Sequence, residues 1–160
     1  MTVDKKLKYL KQFEEASNAF DDVLTMSEEL ILFRPFEDAW SIKEQIIHCM
    51  DVDIANFHRY RKAIAQPETQ IISFSGVWTA ALDYQSSDLL SAIELIKIVR
   101  KYMASHLKTI VNHDWQKYTY IHDEKGRVNL EEALIDYIDH VDFHRKLIDR
   151  NIELFKSKKD

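Results

Sequence analysis

"NLEEALIDYIDHVDFHRKLIDRNIELF" runs from Asn129 to Phe155 without a glycine or a proline. Leu130, Leu134, Ile138, Val141, Ile148, Ile152 and Phe155 recur in it at helical spacing, which lines one side of a helix with 3.6 residues per turn. Asn129 and Glu132 have the spacing of a capping box, in which each side chain closes an orphan amide of the first turn. The stretch therefore predicts one long helix. A helix with a single apolar stripe must hide it against other elements.

Three more long segments lie upstream. The whole chain of 160 residues holds only two glycines and two prolines, which favours long helices over a turn-rich β architecture. The first segment runs from about Asp4 to Leu32, with Leu7, Leu10, Phe13, Ala16, Phe20, Val23 and Leu24 on helical spacing; Asn18 to Ser27 is weak enough to break it in two. "RPFEDAW" (Arg34–Trp40) then interrupts, because Pro35 opposes helix. The second starts at "SIKE", where Ser41 and Glu44 make another capping box, and runs to about Ala65 with Ile46, Met50, Ile54, Phe57 and Ile64 as its stripe. The third runs from about Ser87 to Val111 on Leu90, Ile93, Ile96, Met103, Leu107 and Ile110.

The connections read differently. Pro67 to Gln85 is mixed, and "TQIISFSGVW" (Thr69–Trp78) reads as a loop plus a short helical turn. "WQKYTYIH" (Trp115–His122) alternates weakly and "DEKG" (Asp123–Gly126) reads as a turn, so a small irregular hairpin is expected there. The expected fold is all-α: an antiparallel four-helix bundle with a long connection between helices 2 and 3, one domain spanning residues 1–160.

Composition narrows the function. Twenty-seven acidic against 22 basic residues leave a formal net charge of −5, which argues against a dedicated nucleic-acid binder. The basic runs "HRYRK" (His58–Lys62) and "FKSKK" (Phe155–Lys159) read as solvated helix ends. No window is apolar enough for a membrane span, and "MTVDKKLKYLKQFEE" has no secretory pattern. Cys49 is the one cysteine, so no disulfide framework exists within the chain, and a reduced, cytoplasmic setting is expected.

His140 and His144 stand four residues apart on the flank of the fourth helix's stripe, about 90° and about 50° from its centre. Stacked there, they are either polar surface residues or two teeth of a metal clamp, and a third ligand decides between them. His113 and His122 lie in the irregular segment, His58 sits beside two arginines, and His106 is near a helix end. His48, in "WSIKEQIIHCMDVD" (Trp40–Asp53), is the remaining choice. It projects nearly opposite its own helix's stripe, so it is either exposed or part of a shallow pocket floored by Val52 and Ala55. Cys49 points about 100° away from His48 and reads as a small core residue. Trp40 and Trp78 either line a pocket mouth or, the favoured reading, serve as packing residues or helix-start anchors; Tyr118 and Tyr120 either cover the histidines or pack the hairpin.

"WSIKEQIIHCMDVD" resembles the second-helix signature of the DinB-like family, the damage-inducible four-helix proteins: a tryptophan, a Ser-x-x-Glu cap, and a histidine two turns into the helix. "GRVNLEEALIDYIDHVDFHRKLI" (Gly126–Ile148) resembles that family's fourth-helix signature, a short loop leading into His-x3-His. The resemblance covers nearly the full chain. It implies a divalent metal on three histidines, carried here onto His48, His140 and His144, and it favours the pocket reading of His48. It also implies relatives among metal-dependent hydrolases and transferases that use low-molecular-weight thiols.

Three neutral imidazoles leave a divalent ion its full charge and leave coordination positions open for water or a thiol. Zinc and nickel both accept imidazole. Asp51, Asp136 and Asp139 are candidates to hold the imidazoles' second nitrogens, but charged helix faces are common and the favoured reading of all three is as ordinary solvated carboxylates; no catalytic base is assigned. The expected function is that of a divalent-metal enzyme, a hydrolase or thiol S-transferase, acting on a small molecule, with homodimer formation expected. The alternative is a non-catalytic bundle, either with a structural metal, which needs a fourth protein ligand, or acting as a dimerising stress-response module.

Overall fold

The computed structural model describes residues 1–73 and 76–158. Among these residues six α-helices and three strands follow in chain order: α1 (Val3–Glu15), α2 (Glu28–Leu32), α3 (Ile42–Ala65), β1 (Thr69–Ile71), α4 (Trp78–Ala81), α5 (Leu89–Thr109), β2 (Thr119–His122), β3 (Gly126–Asn129) and α6 (Leu130–Ser157). The first expected segment does break: α1 tightens into a 3-10 helix over Ala16–Thr25 before α2 begins. Both capping boxes form. The Ser41 and Asn129 side chains accept from the Glu44 and Glu132 amides, and each glutamate accepts from its cap residue's own amide. Four rods result: α1 with its 3-10 extension, α3, α5 and α6.

Side-chain pairings fix how the rods run. Along α3, Trp40, Gln45 and His48 meet Asn151, His144 and His140 of α6. One series rises as the other falls, so α3 and α6 are antiparallel. Lys6, Glu14 and Asp21 meet Val111, Lys108 and Lys97 in the same inverse order, so the first rod is antiparallel to α5. Asp53, Phe57 and Tyr60 meet Arg100, Tyr102 and His106 in rising order, so α3 and α5 are parallel. Met1, Phe13 and Asp22 meet Glu131, Tyr137 and Arg145 in rising order too.

The bundle is therefore not antiparallel throughout. Two parallel neighbours force the chain leaving α3 to travel back along a rod of 24 residues, about 36 Å at 1.5 Å per residue, before α5 can start. Residues 66–88 make that return.

The all-α expectation also needs correction. β1, β2 and β3 form a three-stranded sheet in that order; β1 pairs parallel to β2 (Thr69 opposite Tyr120), and β2 pairs antiparallel to β3 (Tyr120 opposite Val128). The expected hairpin is β2–β3, and Gly126 at φ 73° turns it, a conformation glycine adopts without steric cost. β1 was not anticipated: "TQIISFSGVW" begins as a strand, α4 starts at its Trp78, and its Phe74 and Ser75 lie outside the described residues.

Two apolar clusters fill the bundle. One gathers Phe13, Tyr60, Met103, Trp115 and Leu134 beneath the sheet; the other gathers Phe20, Ile46, Cys49, Ile96, Val141 and Ile148 toward the opposite end. Near their boundary Arg100, fully buried, donates to Asp53 through Nε (2.6 Å) and Nη2 (2.9 Å), to Tyr137 O (3.0 Å) and to Phe13 O (3.3 Å). One guanidinium thus ties all four rods together. Among the described residues no helix is long and apolar enough to cross a membrane.

Candidate metal centre

His48 lies two turns into α3, and His140 and His144 lie on consecutive turns of α6. Because α3 and α6 are antiparallel neighbours, the three imidazoles meet on the flank they share. The His140 Nε2 atom lies 3.3 Å from His48 Nε2 and 3.1 Å from His144 Nε2, and all three residues offer a ring nitrogen within 4.8 Å of one another. Nitrogens bonded to one ion at about 2.0–2.1 Å and a tetrahedral angle stand roughly 3.3 Å apart. The two measured gaps match that spacing. The same gaps also suit N–H···N hydrogen bonds between neutral rings; with each Nε2 lone pair free the donor set fits a divalent metal.

Burial keeps the set neutral. His144 is buried, and His48 and His140 are half-buried. Desolvation lowers the His48 pKa from 6.5 to about 4. It lowers His140 and His144 to about 3, with the neighbouring imidazoles of the cluster adding to the effect. At neutral pH every ring therefore carries a lone pair for a metal.

Gln45 fixes one tautomer. Its Oε1 accepts a hydrogen bond from His144 Nδ1, which leaves the lone pair on Nε2, facing the other two rings. Gln45 stands one turn before His48 on the same helix, but a glutamine within an apolar helix face gives no sign of this role in sequence. The three candidate aspartates follow the favoured reading, that of ordinary carboxylates, and do not hold the imidazoles. Asp51 accepts from the Tyr84 hydroxyl at 2.5 Å, Asp136 pairs with Lys125 at 2.6 Å, and Asp139 is exposed.

Trp40 and Phe143 wall the cluster. The Trp40 ring lies nearly parallel to His144 with centroids 6.3 Å apart, and 4.9 Å from His48; Phe143 meets His144 edge-on at 5.3 Å. Asn151 anchors Trp40 by donating to its carbonyl at 2.8 Å. Trp40 is thus both a helix-start anchor and part of a groove of about 590 Å³, which Gln45, His48, Phe143, His144 and Arg150 also line. Trp78 lies elsewhere, in a second groove with His58 and Ile72. Tyr118 pairs with His113, whereas Tyr120 lines a small cavity on the other side of His140. Cys49 is buried in the core.

The basic run "HRYRK" corrects a reading. His58 and Arg61 are exposed, but Arg59 turns inward and is buried, so the run is not wholly a solvated end. Of "FKSKK", Lys159 lies outside the described residues, and Lys156 and Lys158 are exposed.

Comparison with known proteins bears on the family and the fold. The model of the DinB superfamily matches residues 12–148. YfiT of Bacillus subtilis strain 168, described as a candidate metal-dependent hydrolase, is 20% identical over 143 residues, which span 88% of this chain and 80% of that protein. The solved YfiT structure, described as a probable metal-dependent hydrolase with an unusual four-helix-bundle topology, matches at a TM-score of 0.88 and 17% identity over 98% of this chain and 90% of that one.

Proposed function

The chain belongs to the DinB superfamily, and on that premise we propose that it is a divalent-metal-dependent hydrolase acting on a small molecule, with His48, His140 and His144 as the metal ligands. The convergence of three neutral Nε2 atoms beside an aromatic-walled groove supports this reading. A divalent ion held there, zinc or nickel by its ligand type, supplies Lewis acidity that activates water or, in the companion reading, a low-molecular-weight thiol for S-transfer. Gln45 keeps His144 in its ligating tautomer. Trp40 and Phe143 shield the rings from bulk water and offer flat apolar faces to a substrate in the groove.

A structural metal is closed by four protein ligands. Among the described residues no fourth histidine, cysteine or carboxylate joins the cluster, and Asp51 and Asp136 are held elsewhere. This favours an enzyme over a bundle with a structural metal. A single domain, a cytoplasmic setting and a homodimer complete the proposal; sedimentation velocity reads the last directly.

The test is a hydrolysis screen of esters, amides and thioesters with zinc- or nickel-loaded protein, run with and without a small thiol. Turnover that needs the metal and disappears in His140→Ala supports hydrolysis; turnover that needs the thiol as well moves the assignment to S-transfer. A substrate turned over equally well after complete metal removal contradicts both.

A further inference from the structure

Arg59 is 9% exposed, and its guanidinium donates to Asn56 Oδ1 and to Ile72 O, both at 3.2 Å. Neither acceptor is a carboxylate. Arg100 shows the ordinary solution: buried completely, it holds Asp53 through two nitrogens. A buried cation without a counter-charge is costly, and among the described residues no carboxylate bonds to Arg59, which leaves its guanidinium open to an anion.

A cavity of about 100 Å³ lies against it, lined in part by Asn56, Arg59, Tyr120, His122, Tyr137 and His140. Tyr137 is 5% exposed, and its hydroxyl lies beside that of Tyr120 without a hydrogen bond of good geometry among the described residues. Burial, with Tyr120 beside it, pushes that hydroxyl well above the usual phenol range, so it remains a donor. His122 Nδ1 accepts from the amides of Glu124 (3.2 Å) and Lys125 (3.4 Å) and lies 3.2 Å from Asp123 Oδ1; with the amides donating to Nδ1, a neutral ring carries its proton on Nε2 as a further donor. Lys125 and Asp136 also line the cavity and pair with each other at 2.6 Å. Two cations against one carboxylate leave the lining at +1.

From this cationic, donor-rich lining we infer that the cavity binds a small oxyanion group, a carboxylate or a phosphate, through Arg59, Tyr137 and His122. The volume holds such a head group and little more. His140 is shared between this cavity and the imidazole cluster, so a molecule anchored here by its anion would present its neighbouring bonds to the three histidines. That second step rests on the function proposed above; anion binding itself does not.

The experiment is a titration of metal-stripped protein, with inorganic phosphate and with acetate separately, read by calorimetry and by the Arg59 Nε–H resonance in nitrogen–proton NMR. Saturable binding of either anion at one site, with that resonance shifting, is expected, and the tighter of the two identifies the substrate's head group. Arg59→Gln should weaken binding at least tenfold. Tyr137→Phe should weaken it several-fold while the helical circular-dichroism signal is retained. No saturable binding of either anion, or binding that survives both substitutions unchanged, overturns the inference. Anion binding in a protein that never takes up metal would keep the anion site and sink the metal reading, so the two failures are distinguishable.

Discussion

At the residue scale, the centre depends on which imidazole nitrogen carries the proton. Gln45 accepts from His144 Nδ1, and loss of such a partner typically costs 10–100-fold in metal affinity. Gln45→Leu should therefore weaken zinc binding by about that factor in a chelator competition, with the helical circular-dichroism signal retained. Unchanged affinity would show that His144 needs no orienting partner. The same burial sets a pH dependence for the metal-free protein. The three folded-state values lie at about 4, 3 and 3, below the ordinary 6.5. Between those limits the unfolded chain binds more protons than the folded one, so stability falls as pH drops from about 6.5 toward 4. Urea titrations of stripped protein across that window should show the decline. A triple His→Ala variant should show a shallower one, and equal slopes would contradict the assignment of the effect to these rings.

His140 and His144 were legible as a pair because i, i+4 spacing stacks them, but Gln45, Arg59 and Tyr137 were not legible as site residues. Each occupies a helix-face position whose use depends on a neighbour brought in from another element. Arg59 even sits in a run that composition assigns to solvent.

At the element scale, the periodicity of α6 and α5 was read nearly as it folds; that of α3 was read askew. Ile54, placed at the middle of its stripe, is 42% exposed. The buried face of α3 instead includes Gln45, Asp53, Asn56 and Arg59, polar residues that a hydrophobicity pattern subtracts. The stripe is rotated, and that rotation carries His48 onto the flank facing α6. Asp53 is tolerated because Arg100 meets it. Arg100→Met should strand a buried carboxylate and cost about 3–5 kcal/mol in urea unfolding, whereas the double variant Asp53→Leu, Arg100→Met should recover most of that loss. A single variant as stable as wild type would mean the pair contributes nothing. Ser41→Ala removes one half of a capping box at the entry to the same helix and should cost about 1 kcal/mol.

At the scale of the whole molecule, four rods were countable from the sequence, but their directions were not. Short loops enforce antiparallel neighbours, and a connection as long as residues 66–88 permits either direction. The parallel pairing of α3 with α5 follows from constant offsets between facing residues, visible only in the fold. The sheet was half legible: β2–β3 announces itself by alternation and a glycine turn, whereas β1 exists because β2 offers it an edge. This arrangement puts α3 and α6 side by side and antiparallel, which joins a histidine of one to two of the other.

Metal content by plasma mass spectrometry, on untagged wild type and on His48→Ala and His140→Ala, tests that junction most directly. About one equivalent of zinc, nickel or another divalent ion in wild type, lost in both variants, is the expected result. A wild type that carries no metal and refuses added zinc and nickel would contradict it, leaving the three imidazoles as a polar seam between two helices.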